Sequence, residues 1–316
     1  MPSFRRNAAG FSLVELMVAM LISLLLSSAA ISLFLSNKRV YGATEGMGRL
    51  QENARIAFEL MARDIREAGG NPCDVRMRVV NVVNAANWWV NYGAGISGFD
   101  NGVHPDSAGG TDAIRIQYFE ATDIETTGDM GSATGPLPVN TMVGISPGQI
   151  LMACGFFSPL DAPVTDAVAI FSTGISGGAL THEMDDGNTS DEFSNITLPT
   201  AVVFPAGASI GSLRALEWYV GENDEGGTSL FRRQLGYGAG GPALGAAQEI
   251  VPDVTDMQIT YMEDGAWTAG LPANWNDVTA VQVELELEAR DSRVGAVEGE
   301  LLTRKLVHVI ALRNKL

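Results

Sequence analysis

Three groups of residues in this 316-residue chain have the types and spacing to do chemistry. The first is Glu15, together with the Gly10–Phe11 junction before it. From Phe11 to Leu35 the chain runs twenty-five residues with Glu15 as the sole charged side chain. An ionised carboxylate in hydrocarbon costs about 3 kcal/mol on insertion scales. Either Glu15 sits at the interface and is solvated, or it meets a positive charge. Hydrolysis between Gly10 and Phe11 makes one, a free α-amine on Phe11. One helical turn separates that amine from Glu15, so the amine of one copy can meet the carboxylate of a neighbour in a staggered bundle.

The second group is the oxygen-rich stretch from Met184 to Phe193, with Asp185, Asp186, Asn188, Asp191 and Glu192. Hard oxygen ligands at short spacing suit Ca²⁺, and Asp186, Asn188 and Asp191 are the candidates. The glycine and terminal glutamate of an EF-hand loop are missing, so a solvated acidic loop is the competing reading. The same holds for Glu222 to Gly227. The third group is the cysteine pair Cys73 and Cys154. In an oxidising compartment an isolated pair most simply forms one disulfide, the alternative being two buried thiols.

Other chemistry lacks its signatures. No HExxH and no P-loop occurs, which argues against an enzyme and against a bound cofactor. There is no CxxC pair, and His104, His182 and His308 are far apart in sequence, so no His/Cys metal site is expected. Trp88, Trp89 and Tyr92 form either a sugar- or surface-binding patch or a local core under a long loop. With 20 Lys and Arg against 37 Asp and Glu, the net charge is −17. Loss of residues 1–10 removes Arg5 and Arg6 and takes it to −19. So acidic a surface is a poor partner for nucleic acid.

The elements that position these residues emerge from periodicity. A helix over Phe11–Leu35 is about 37 Å long and crosses a bilayer core of about 30 Å. Arg5 and Arg6 keep its start in the cytoplasm and place the rest beyond the membrane. A secretory signal peptide is the alternative, with a cut after Ser27–Ala30. Beyond Asn37, Lys38 and Arg39 the helix is expected to continue to Ala68. Val40, Met47, Leu50, Ala54, Ala57, Met61, Ile65 and Ala68 make one apolar stripe; Arg49, Glu52, Arg55, Glu59, Arg63 and Glu67 make the polar face. Gly42, Gly46 and Gly48 weaken the middle and mark a place to bend or melt. Gly69, Gly70 and Pro72 are the stop.

The remainder reads as strands with long loops. Alternation predicts strands over 112–121, 254–262 and 278–290, with a closing strand in 304–314 and a hairpin whose turn is Glu222–Thr228. Residues 84–111, 121–149 and 172–195 are expected as surface loops. The fold class is α+β, a long helical spine on a mostly antiparallel sheet.

Gly10-Phe11-Ser12-Leu13-Val14-Glu15, after a basic leader and before an apolar run, resembles the processing site of type IV prepilins. The resemblance implies that a prepilin peptidase cuts after Gly10 and methylates Phe11, and that Glu15 supports docking on the previous subunit. "FELMARDIREAGGNPC", the hairpin "LEWYVGENDEGGTSLFRRQ", "EIVPDVTDMQITYMEDG" and the ending "VIALRN" are similar to PilW-type minor pilins. The usual aromatic before the cysteine is replaced here by Gly70-Asn71-Pro72. The likeness implies a pilin-like layout: leader 1–10, membrane half of the spine 11–35, periplasmic half 36–70 and globular domain 71–316. The partners implied are the prepilin peptidase, other minor pilins and the major pilin, the inner-membrane assembly platform and inner-membrane lipid. The implied location is the inner membrane of a Gram-negative bacterium, with the domain in the periplasm, and then the pilus. The J-type pseudopilin of type II secretion shares much of this pattern. A membrane-tethered periplasmic enzyme or binding protein is the alternative of another class. Motility, adhesion and DNA uptake are left undivided.

Overall fold

The structure is a computed structural model. It describes residues 12–73, 78–81, 83, 87–128, 136–146, 148–157, 165–172, 174–176, 179–181, 202–204, 206–238, 241–268, 270–289 and 301–315. The chain divides into two compact units, residues 1–51 with 288–303 and residues 52–287 with 304–316.

One helix, α1 (Leu13–Glu67), belongs to both units. Ser12 caps its start. The residues from Leu13 to Tyr41 are all exposed, and an 18-residue window there reaches a mean hydropathy of 2.4. A helix apolar on every side and uncovered by its own protein is a membrane span by its physics. It continues through Gly42, Gly46 and Gly48 without a break. The expected stripe begins later than the spacing suggests: Val40 is exposed and Met47 half-buried, and burial is complete only from Leu50. In the second unit Ala54, Ala57, Met61, Ala62 and Ile65 are buried, and here small residues alternate with large ones so that the helix lies close to the sheet. The helix stops where glycine permits it. Gly69 takes φ +71° and the Gly70 amide donates to Glu67 O. That positive φ is the left-handed cap that glycine adopts without penalty.

The strands are β1 (Arg78–Asn81), β2 (Ile96–Phe99), β3 (Ala113–Glu125), β4 (Ile150–Phe157), β5 (Thr165–Ser172), β6 (Gly174–Ser176), β7 (Ala179–Thr181), β8 (Val202–Val203), β9 (Ser209–Glu222), β10 (Thr228–Gly238), β11 (Gly241–Leu244), β12 (Gln248–Pro252), β13 (Val254–Glu263), β14 (Ala266–Trp267), β15 (Val278–Glu288) and β16 (Thr303–Ala311). The larger sheet has the order β1-β5-β4-β9-β10-β11, with β3 also on β9 and β2 on β3. Apart from the parallel pair β1–β5, its pairings are antiparallel. The second sheet has the order β14-β13-β15-β16.

The clean alternation of the second sheet is realised in its burial. Val254, Met257, Ile259 and Tyr261 on β13 and Val281, Val283, Leu285 and Leu287 on β15 are all buried. The segment 112–121 behaves differently. It forms most of β3, yet Ile114, Ile116, Gln117 and Phe119 are all buried, so both faces are covered and Tyr118 is only half-buried. A strand sandwiched on both sides loses its two-residue pattern.

The expectation of three surface loops is corrected in part. Residues 84–111 contain β2 and bury Val90, Ile96 and His104. Residues 121–149 contain the end of β3 and the bridge Thr126–Val139. Residues 172–195 contain the β6–β7 hairpin. Trp88, Trp89 and Tyr92 pack with Phe119, Ile150, Met152, Leu213 and Leu235 as a local core rather than a binding patch. The Tyr92 hydroxyl donates to Gly69 O at 2.8 Å, which pins this loop to the end of the spine.

Candidate functional site

The N-terminus of α1 carries the candidate assembly residue. Ser12 and Glu15 stand three apart, the spacing of a capping box. The Val14 amide donates to Ser12 Oγ at 3.2 Å, and the Ser12 amide donates to a Glu15 carboxylate oxygen at 3.4 Å. Two amides that have no partner within the helix are thereby satisfied, which matters most where water is scarce. The carboxylate also lies at the positive end of the helix dipole. Glu15 therefore already has local partners, and its remaining lone pairs face outward. Gly10 and Phe11 lie outside the described residues, as do Asp185, Asp186, Asn188, Asp191 and Glu192.

The lower spine is locked to the sheets by an acid that periodicity did not single out. Asp64 falls inside the apolar stripe, between Met61 and Ile65, and is buried. Trp218 Nε1 on β9 donates to it at 3.0 Å, and Arg232 on β10 donates twice, at 2.9 and 3.2 Å. Burial pushes the Asp64 carboxyl up, and the Arg232 charge and the indole hydrogen bond pull against that. A charge within an apolar helical stripe is the sequence signal that marks such a residue. Closer to the end, Asn314 donates to the Glu67 and Ala68 carbonyls and Phe58 meets His308 at 5.4 Å. The chain's last residues thus cap the helix.

The expected disulfide is formed. Cys73 and Cys154 are bonded, with Cα atoms 5.6 Å apart and a sequence separation of 81. It joins the segment just past the spine to β4.

A second charged group was not foreseen either. Glu217 on β9 is buried and accepts from Arg115 at 3.0 Å. His104 Nε2 lies 3.2 Å from the same oxygen, and Arg233 lies 3.4 Å from the other. Burial pushes the Glu217 carboxyl up, but the hydrogen bonds from His104 and Arg115 outweigh it and hold the group below the usual range. The Arg115 guanidinium lies between the Trp88 and Phe99 rings, 4.5 Å from each centroid, while His104 stacks on Tyr219 at 4.8 Å. Asp106 completes the group and pairs with Arg233.

His104, Asp106 and Glu217 bring ligand atoms within 4.8 Å of one another, a spacing that a metal ion could use. Two guanidiniums already occupy the positive side of Glu217, and the Asp106 amide donates to His104 Nδ1. The grouping is therefore an ion-pair network that ties the 99–112 loop to β9 and β10. The other acidic stretch, Glu222 to Gly227, is a turn organised by its own asparagine. Asn223 Oδ1 accepts from the Glu225 and Gly227 amides, and Asn223 Nδ2 donates to Ser229.

The chain offers an apolar helix with a carboxylate at its head, carried by a braced β domain. Comparison with known proteins agrees at both ends of the chain. Residues 5–31 match the prokaryotic N-terminal methylation motif, and residues 217–314 match the family described as Type IV Pilus-assembly protein W. The structure is similar to that of a type IV-like pilin from Thermus thermophilus, at 9% identity and a TM-score of 0.33, over 84% of this chain and 97% of that one. No curated protein matches the chain.

Proposed function

From the premise that the chain is a type IV minor pilin of the PilW family, carried by its methylation motif and its PilW domain, we propose how it enters the pilus and where it acts. Such a protein is a structural, non-enzymatic subunit. It is anchored in the inner membrane with its globular domain in the periplasm, and it takes part in pilus assembly with other pilins and the assembly machinery.

Residues 1–10, in this proposal, are a leader that a prepilin peptidase removes between Gly10 and Phe11. The segment 11–35 holds the mature chain in the membrane, 36–70 is the periplasmic half of the spine, and 71–316 is the globular domain. Glu15 then exchanges its weak local contact for the terminal amine of a neighbouring pilin, and the subunit joins a priming complex at the pilus tip. One observation carries the reading: between Leu13 and Asn37 the exposed helix holds a single charge, Glu15, and its hydrogen bond to Ser12 is long, at 3.4 Å. An ammonium paired with the carboxylate makes a shorter bond, about 2.8 Å.

The test is Glu15→Gln in the full-length chain. The variant should insert and lose residues 1–10 as wild type does, by intact mass, yet co-purify poorly with the other pilins and support few pili. Wild-type piliation by E15Q, or a mature chain that keeps residues 1–10 beside an active peptidase, would defeat the proposal.

A further inference from the structure

The last strand of the second sheet has a side that no described residue pairs with. β16 is the edge of the order β14-β13-β15-β16, and among the described residues nothing pairs with its outer side. Hydrogen bonds at its two ends fix which residues point outward. The Ala289 amide donates to Leu302 O and the Leu312 amide donates to Thr279 O, so even-numbered residues bond towards β15. In an antiparallel ladder the bonding direction alternates. Lys305, Val307 and Val309 therefore aim their own N–H and C=O groups at the free edge.

The side chains along this edge are unusual as well. Of the even-numbered face, Ile310 is buried, while Arg304 and His308 are exposed and the His308 ring lies tilted against Phe58 of α1. On the odd-numbered face Val307 and Val309 remain 53% and 52% exposed. Lys305 is bound to Glu284 and Glu286 of the neighbouring strand. A nine-residue edge with two open valines at its centre is the kind that pairs with another chain.

We propose that the free edge of β16 takes up an acidic, alternating β-strand of a different polypeptide by strand addition. Main-chain hydrogen bonds supply the affinity in this mode, and alternate side chains supply the choice of partner. An added strand lays apolar side chains beside Val307 and Val309 and acidic ones beside Arg304 and His308. The charge decides for a foreign strand over a second copy. Residues 301–315 contain no acid, within a chain of net charge −17; Lys305 already pairs with Glu284 and Glu286 and Arg313 with Glu67, so the exposed Arg304 is the cation that sets the charge of this edge. A two-fold pair of copies sets this segment against itself, so like charges meet. Strand addition here depends on β16 and not on filament entry, so failure of the Glu15 test leaves it standing.

The experiment uses the full-length chain in detergent micelles and a labelled peptide, acetyl-Val-Glu-Val-Glu-Val-Glu-Val-amide, with a control in which lysine replaces each glutamate. The glutamate peptide should bind roughly tenfold more tightly than the control, and it should slow amide exchange at Lys305, Val307 and Val309. Val307→Pro removes one outward N–H and leaves the β15 ladder intact, and it should weaken binding roughly tenfold. Arg304→Glu, a surface change that keeps the fold, should shift the preference towards the lysine peptide. Equal affinity for both peptides, indifference to both substitutions, or protection elsewhere would overturn the proposal. So would concentration-dependent dimers that V307P abolishes, because they would assign the edge to a second copy.

Discussion

Asp64 and Glu217 are both buried carboxylates held by arginine, yet they respond to acid in opposite directions. Burial dominates at Asp64 and raises its folded-state value above the unfolded one. The folded state then binds the proton more tightly, so this group favours folding more as pH falls. Glu217 is held below its unfolded value. Its contribution is present above the unfolded carboxylate value of about 4.3 and is lost as pH falls through the folded one. Glu217→Gln should therefore lower stability at neutral pH and flatten the acid side of the stability profile, as read by chemical denaturation from pH 7 to 3. Asp64→Ala leaves Arg232 and the Trp218 indole facing an empty site. It should cost about 3 kcal/mol, the low end for a broken buried pair, because Arg232 retains some access to water. Restoring much of that loss with Asp64→Asn would show that the hydrogen bonds, not the charge, do most of the holding. Most partners of these acids are distant in sequence: Trp218 lies 154 residues from Asp64, and Arg115 lies 102 from Glu217, whereas Arg233 faces Glu217 across the β9–β10 hairpin. That is why neither pairing was legible, although Asp64 stood out of its stripe and Glu217 interrupts an apolar run.

At the scale of elements, what could be read was what is locally periodic. Leu50 through Ala68 reads as a helix face because one side alone meets the sheet, and β13 and β15 read as strands because one face alone is buried. Where both faces are covered, as on β3, the pattern disappears. The stretch 84–111 reads as a loop because it is rich in Gly, Asn and Asp, yet those residues serve close approaches. Gly95 has φ +76°, and a Cβ there would collide with the Gly69 backbone. The start of β2 therefore lies against the cap of α1 with no room for a side chain. Gly95→Ala should cost about 2 kcal/mol or more, from the left-handed backbone and the collision together, and thermal unfolding would show it. An unchanged midpoint would mean that the two segments separate easily. The Glu222–Gly227 turn illustrates the same point: its acids suggested an ion, but its asparagine does the organising.

For the whole molecule, the sequence placed the N-terminal motif, the layout of spine and sheet and the family resemblance at both ends. The candidate cation ligands at 186–191 lie outside the described residues. The disulfide was legible from count and compartment, but not what it joins. On chain-entropy grounds, closing 81 residues stabilises by about 4 kcal/mol. The Cys73→Ser, Cys154→Ser double variant should lose up to that amount by chemical denaturation, with little effect on membrane insertion. A loss below about 1 kcal/mol would show that the unfolded chain is already compact in this region.

That bond has a mechanical side as well. Cys73 comes only six positions after the last helical residue, Glu67, and its partner lies on β4. A pull transmitted along α1 meets the sheet first at Asp64, then at Gly69 and Gly70, whose backbone bonds to Gln117 and Phe119 on β3, and only then at Cys73 through sulfur. Once those non-covalent holds give way, the disulfide is the link that keeps the segment after the helix on β4, and a reduced chain would be the one that stretches.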